Sequence, residues 1–498
     1  MRFVDLGVIL VYLALITWFG AHFRGTQNNL RDYVLGGRMA PWWAISLSIV
    51  SAETSTLTIV GTPALSFTGD LGFLQVVFGY LLARMVISVV LLPHYFRGEM
   101  FTAYELMRRR FGERVRRLTA SIFLVMRALA EGVRVFAISL VISVVLGTDA
   151  VWSIALILLL TLVYTFEGGM TAVIWTDVVQ MCLYVAGALT SFFVILAHIP
   201  GGWSHVAALA GAAGKFKLFD FHFALGMPFF SRPYTFWAGL VGGCFLTMAS
   251  HGTDQLMVQR LLSARDLQQS RTALVASWAV ILVQFSLFLL IGILLFVYYH
   301  DAGLPLPRQT DRIYPEFVWN HLAPGVAGIT VAAILAAAMA NLSAALNSLS
   351  ATTVVDFLAA RKNPLPDGRG STAQRSGPRY LWQARLATVV WSAVLLSIGL
   401  LARRWGSVLE AGLTIASIPS GALLGVFLLG VLTRRPRERA AIAGVVCGLV
   451  VILYIRFRTP IAFTWYVLIG TVVTFSTGWA ASWFERKQKN DFEKNGVR

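Results

Sequence analysis

The sequence predicts an all-α integral membrane protein of about 13 transmembrane helices, and three observations carry that reading. Of 498 residues, 57% are apolar and 13% charged, roughly half the charge of a soluble domain, which averages about 25%. Apolar runs of about 20 residues, the length that carries a helix across ~30 Å of hydrocarbon, recur along the whole chain. The Lys and Arg residues sort to one side of those runs. This composition excludes a soluble cytosolic enzyme, a disordered chain and a disulfide scaffold.

Thirteen runs qualify as spans: 4–22, 41–65, 73–96, 118–146, 150–166, 172–198, 235–253, 272–299, 323–357, 381–402, 407–433, 440–455 and 461–484. Runs 150–166 and 440–455 are short, which leaves twelve or fourteen open. The leading region of the first run holds one Arg balanced by Asp5, and no A-x-A-like cleavage site follows, so it reads as a span rather than a signal peptide. Of the 41 Lys and Arg, 28 lie in or at the edges of the connections after odd-numbered spans, and 10 at the N-terminus or after even-numbered ones. Arg84, Arg127 and Arg134 fall inside spans. The positive-inside rule then places the N-terminus outside and the C-terminus in the cytoplasm of a multi-pass plasma or inner membrane protein. The net charge of +17 is therefore topological. Blocks such as Arg108–Arg109–Arg110 and Arg434, Arg435, Arg437, Arg439 mark the cytoplasmic face or meet anionic lipid head groups. Nothing beyond charge points to nucleic acid, so the partners expected are a small-molecule solute and the lipid bilayer, with no signal for an oligomeric state.

Cys182, Cys244 and Cys447 each lie in an apolar run and read as small hydrophobes packed between helices, with no disulfide framework or metal spacing. The chain divides into an N-terminal extra helix and loop (1–40), a first five-helix set (41–198), an outside loop (199–234), a second set (235–433) and two C-terminal helices with a short tail (434–498). Within the second set, 359–380 is rich in Pro, Gly, Ser and Arg and reads as a flexible cytoplasmic loop. The outside loop, with its aromatics, reads as a partial lid.

Two spans look interrupted. The second carries eight Ser or Thr, a Glu and Gly61-Thr62-Pro63; the seventh carries Gly239, Gly242, Gly243 and a polar run after them. Broken backbone inside a membrane is tolerated where it is buried or lines a cavity. Each interrupted span is followed by four more helices, and an odd number per set inverts the second set relative to the first. That is the pattern of inverted-repeat transporters, whose sites lie beside discontinuous helices. The alternative is small residues at close helix–helix contacts.

Asp32-Tyr33-Val34-Leu35-Gly36-Gly37-Arg38 before Pro41-Trp42-Trp43 resembles the start of the second helix in the sodium:solute symporter family. Similar matches are Tyr164 to Gln180 (YTFEGGMTAVIWTDVVQ), Gly252-Thr253-Asp254-Gln255 with Gln259-Arg260, Leu346-Asn347-Ser348 with Asp356 downstream, and Leu424-Gly425 through Gly430. The five lie in order from residue 32 to residue 430. The resemblance implies alternating access, with sodium moving down its gradient to drive uptake of a small solute such as a sugar, amino acid, carboxylate or inorganic anion.

It also implies a site. Family members hold sodium between the broken second helix and the ninth helix, on backbone carbonyls and two adjacent hydroxyls. Those carbonyls fall here on Leu47, Val50 and Ala337, and the hydroxyl pair on Ala340 and Asn341. Ala340 has no side-chain oxygen, Asn341 has one, and Ser343 lies two residues on; Asp177 of the sixth helix is the nearest acid. Na+ is the expected coupling ion, with no cofactor and no other metal, and a proton-coupled or uncoupled carrier of the same fold is the alternative.

For the solute, the resemblance points to Glu53 and Thr54 on the second helix, Thr247 and the gate position Ser250 on the seventh, and Gln284 on the eighth. Gln284 and Leu413 stand where sugar carriers have a lysine and a glutamine, which disfavours a sugar. Arg127, Glu131 and Arg134 are spaced four and three apart, as an internal ion pair requires. Arg84 needs either a structural partner or an anionic solute. Asp254, Gln255 and Arg260 read as an inner gate or loop brace, and Glu410 as a residue reaching the interface. A solute sensor would carry a signalling domain, yet about 14 residues follow the last run. A membrane enzyme would gather His, Asp or Cys at one interface, whereas the eight His are dispersed and no H-E-x-x-H occurs.

Overall fold

Backbone in hydrocarbon must satisfy its own N–H and C=O groups, and apolar runs of this length do so as helices. The computed structural model describes residues 3–22, 30–98, 100–146, 150–305, 310–359, 378–402 and 408–485. Among them all regular structure is helical, apart from one bridge between Ala40 and Ala264. The helices are α1 (Phe3–His22), α2 (Leu30–Leu35), α3 (Trp42–Glu53), α4 (Thr56–Thr68), α5 (Leu74–Val86), α6 (Leu92–Tyr95), α7 (Tyr104–Phe111), α8 (Glu113–Leu146), α9 (Ala150–His198) and α10 (Gly202–Ala212). They continue with α11 (Met227–Ser231), α12 (Gly243–Gly252), α13 (Gln255–Leu262), α14 (Leu267–Asp301), α15 (Ile313–His321), α16 (Val326–Thr352), α17 (Pro378–Ala402), α18 (Val408–Leu432), α19 (Glu438–Arg458) and α20 (Tyr466–Ala481). Among the described residues eight helices are long and apolar enough to cross a bilayer, or nine if the bent pair α3–α4 is one span. The two expected spans at 150–198 are one helical stretch kinked at Gly169, whose φ of 55° and ψ of −152° only a glycine adopts at ease.

At the centre stands α16. Its apolar stretch is 94% buried, and its Ala-rich surface lets α9, α1 and α17 approach closely. The half-buried N-terminus of α16 is closed by Asp5 of α1, whose Oδ1 accepts from the N–H groups of Gly325 and Gly328 at 2.7 Å each. A carboxylate there meets the positive end of the helix dipole. Packing of α4 on α14 depends on Gly292, where an added Cβ would lie 2.1 Å from both Pro63 O and Ser66 Oγ. Gly292→Ala is therefore expected to separate the helices, break the 2.6 Å Ser66 Oγ–Leu289 O hydrogen bond, and cost about 1–3 kcal/mol in thermal unfolding of the purified protein.

The seventh span corrects one expectation. Gly239, Gly242 and Gly243 do not break it: residues Ala238–Gly242 form a π-helical turn that runs straight into α12. The glycines instead admit neighbouring backbone. A Cβ on Gly239 would meet Gln75 at 2.7 Å, one on Gly243 Val76 O at 2.5 Å, and one on Gly242 Thr464 O at 2.7 Å. The helix ends later, at Thr253–Asp254, before α13 begins. A second correction concerns Cys182, which is exposed on α9 rather than packed between helices; Cys244 and Cys447 are half-buried.

In the 199–234 loop, α10 packs on α14 and α9. Lys215 donates to Phe67 O (2.6 Å) and Gly69 O (2.9 Å), capping the C-terminus of α4; partial burial holds its ammonium below the ordinary lysine value. Phe219, Phe221 and Phe236 form an aromatic cluster above α5. Of the expected flexible loop at 359–380, residues 360–377 lie outside the described residues, as do the side chains of Glu410 and Leu413.

Candidate functional site

The second span breaks where its sequence stops favouring helix. Thr54 is extended (φ −81°, ψ 101°) and bonds its own helix end, donating through N–H (2.9 Å) and Oγ1 (2.8 Å) to Val50 O. Ser55 then caps α4 through a capping box with Thr58. The two halves meet at 64°. The C-terminus of α3 and the N-terminus of α4 thus both end inside the bundle, the first meeting Asn341 of α16 at Ala52 O and the second closed by its own capping box.

Four of the five expected solute residues join at this break. Glu53 Oε2 pairs with Arg84 Nη2 of α5 at 2.6 Å, and Arg84 also donates to Ser277 Oγ of α14 at 3.1 Å. His251 Nε2 of α12 lies 3.4 Å from both Glu53 Oε2 and Arg84 Nη2. Its Nδ1 is 2.9 Å from Ser250 Oγ. Beside them Gln284 Nε2 donates to Thr54 Oγ1 at 2.5 Å. Thr247 is buried on α12 and accepts from Ser250 Oγ at its carbonyl, 3.4 Å away. An ionised pair this deep is tolerated because Arg84 and Glu53 neutralise each other. Arg84 thus has a structural partner.

The expected cation residues fall into two groups. Asn341 of α16 donates through Nδ2 to Ala52 O at the end of α3 (3.0 Å), two residues from Val50. Its Oδ1 accepts from Arg134 Nη1 of α8, also at 3.0 Å. Ala337 and Ala340 are fully buried on the same helix, and Ser343 Oγ donates to Ala340 O at 3.1 Å. Leu47 is half-buried on α3. Asp177 is engaged differently: its Oδ2 accepts from Ser48 Oγ (2.5 Å) and Arg260 Nη2 (2.8 Å). Arg260 also donates to Ser48 Oγ at 2.8 Å, closing a buried triangle of α3, α9 and α13.

Arg127, Glu131 and Arg134 do form the internal ion pairs that their spacing requires, at 2.9 Å and 2.5 Å. Arg127 further pairs with Asp254, whose Oδ1 caps α13 through Leu256 N at 2.9 Å. Gln255 braces the 101–103 loop, accepting from Ala103 N and donating to Phe101 O. A small pocket lies between the break and α16, lined by Ser55, Thr56, Glu131, Arg134, Ala338 and Asn341 among others, with room for about one water-sized group. His251 and Arg134 are the residues that sequence reasoning did not place in a site. The only local signal for His251 was an ionisable ring next to Ser250 within an apolar span.

A bundle of membrane-length helices, with one span broken at mid-length and polar and ionised side chains gathered at the break, is the build of a secondary solute transporter. The chain belongs to the sodium:solute symporter family, whose sequence profile matches residues 33–448. It is 27% identical to a sodium/sialic acid symporter of Proteus mirabilis over 96% of this chain and 94% of that one. It is 29% identical to the human sodium/iodide cotransporter over 91% of this chain and 69% of that one. A solved structure of a Na+-coupled sialic acid symporter, substrate-bound and outward-open, superposes with a TM-score of 0.85 at 25% identity, covering 97% of this chain and 98% of that one. The family and these relatives are sodium-coupled transporters, not enzymes.

Proposed function

We propose that this protein carries a small anion into the cell together with sodium, by alternating access around the break in its second span. The observation that carries the reading is the pocket at that break, where Arg134 keeps 25% of its side chain exposed beside Ser55 and Thr56. The pocket is otherwise lined mainly by apolar surface, from Val135, Ile138, Ala338 and Leu342, and although Arg134 already pairs with Glu131, the donors it has to spare there suit an anion. Sialic acid and iodide, the solutes named for the two relatives, are both anions. Sodium would be held by Asn341 Oδ1 and by carbonyls of Leu47, Val50, Ala337 and Ala340, with Ser343 adjacent. Glu53, Thr54, Thr247, Ser250 and Gln284 shape the solute side, and Asp254, Gln255 and Arg260 brace the inner end. Thirteen crossings with the N-terminus outside, and inverted sets at 41–198 and 235–433, complete the proposal; the sorting of 28 of the 41 basic residues supports that orientation.

The second reading, a proton-coupled or uncoupled carrier, draws on Ala340, which offers no side-chain oxygen, and on Asn341, whose oxygen already holds Arg134. Uptake into proteoliposomes separates the two. Radiolabelled sialic acid, lactate and iodide are offered under an inward sodium gradient, an inward proton gradient, or choline alone. The expected result is accumulation of at least one anion, raised about tenfold or more by sodium, a gain worth about 1.4 kcal/mol. Equal uptake in sodium and choline overturns sodium coupling.

A further inference from the structure

We infer that Arg134 is a tethered cation that competes with the coupling ion for the amide oxygen of Asn341, and so sets how much of that ion the site requires. The inference rests on the reading above that Asn341 is the side-chain ligand for sodium. An asparagine amide has one oxygen, and its orientation here is dictated by its surroundings. Nδ2 donates to Ala52 O at 3.0 Å, so Oδ1 must face the other way, where Arg134 Nη1 meets it at 3.0 Å. Any ion using that oxygen shares it with a guanidinium. Two cations on one neutral oxygen inside a low-dielectric bundle repel each other strongly. Ala340, the neighbouring position, supplies no second side-chain oxygen to relieve the conflict.

Arg134 also has somewhere to go. The same Nη1 lies 2.5 Å from Glu131 Oε1, so leaving Asn341 exposes no unpaired charge. Glu131 is held in turn by Arg127 at 2.9 Å, and Arg127 by Asp254. Alternating charges therefore run along one face of α8, at positions 127, 131 and 134, from the ion site to the cap of α13. In the structure the one Nη1 holds both oxygens at once; on this inference sodium displaces it from Asn341 Oδ1 and leaves it withdrawn on Glu131 alone. Differential affinity of this kind is what lets a ligand shift a conformational equilibrium.

The test uses the purified full-length protein without solute, titrated with sodium chloride against choline chloride at constant ionic strength, and read by thermal stabilisation and tryptophan fluorescence. Arg134→Gln removes the competing charge and is expected to lower the half-saturating sodium concentration at least about tenfold. Glu131→Gln keeps both arginines but weakens the withdrawn position, and is expected to raise it. Opposite shifts from neighbouring residues are not produced by general loosening, and either variant alone tests the sign if the other fails to fold. Unchanged or higher sodium demand in Arg134→Gln, or lower demand in Glu131→Gln, overturns the inference while leaving sodium coupling intact. A wild-type protein that does not distinguish sodium from choline overturns the symport reading and this inference with it.

Discussion

Arg84→Ala is expected to be among the most damaging single substitutions in this protein. It leaves Glu53 at the break of the second span with only His251 for company, 3.4 Å away. Removing one partner of a buried ion pair costs about 3–5 kcal/mol, because the other charge stays desolvated without compensation. Arg84 also reaches Ser277 Oγ and the Tyr80 carbonyl, so it ties α5 and α14 to the end of α3. Lysine restores the charge but not this fork, and Arg84→Lys is expected to recover little. The double substitution Glu53→Gln/Arg84→Gln leaves no net charge behind and should be more stable than Arg84→Ala. Thermal unfolding of the three variants checks the order, and uptake reads the consequence for transport. A double variant no more stable than Arg84→Ala would mean that the pair is not what holds the break.

The second large effect is expected at Arg260, which is 1% exposed and pairs with the fully buried Asp177. Arg260→Ala strands that carboxylate with Ser48 alone and should again cost about 3–5 kcal/mol. Asp177→Asn makes the sharper experiment, because Asp177 has two candidate roles. Arg260 already neutralises it, so we expect lower thermal stability with half-saturating sodium unchanged within about twofold, under 0.5 kcal/mol. A tenfold rise in sodium demand would instead make Asp177 a ligand of the coupling ion. Arg260, Ser48 and Asp177 share contacts, so their effects will not add.

How much of this was legible before folding depends on the range of the interaction concerned. The ion pairs of Arg127, Glu131 and Arg134 follow from spacings of four and three on one helix, and the structure contains them. The break at Thr54–Ser55 was foreshadowed by a dense run of hydroxyl residues and a glutamate inside an apolar span. The glycines of the seventh span were ambiguous for a physical reason. A missing Cβ either frees the backbone or admits a neighbour, and only the presence of Gln75 and Val76 against Gly239 and Gly243 decides between them. Arg134 and Asn341 are 207 residues apart, and Glu53 and His251 nearly as far. No local pattern announces either meeting.

By itself, then, the sequence determined the solvent in which this chain folds, its all-helical class, and, through motif resemblance, its family. Those are properties of short windows: hydrophobic length, charge sorting, caps and signature runs. Tertiary structure alone decided which buried charges face one another at the break, because in a low-dielectric bundle each ionised group must find its partner in space rather than in sequence. That choice gave Glu53 to Arg84, Asp177 to Arg260, and the oxygen of Asn341 to Arg134.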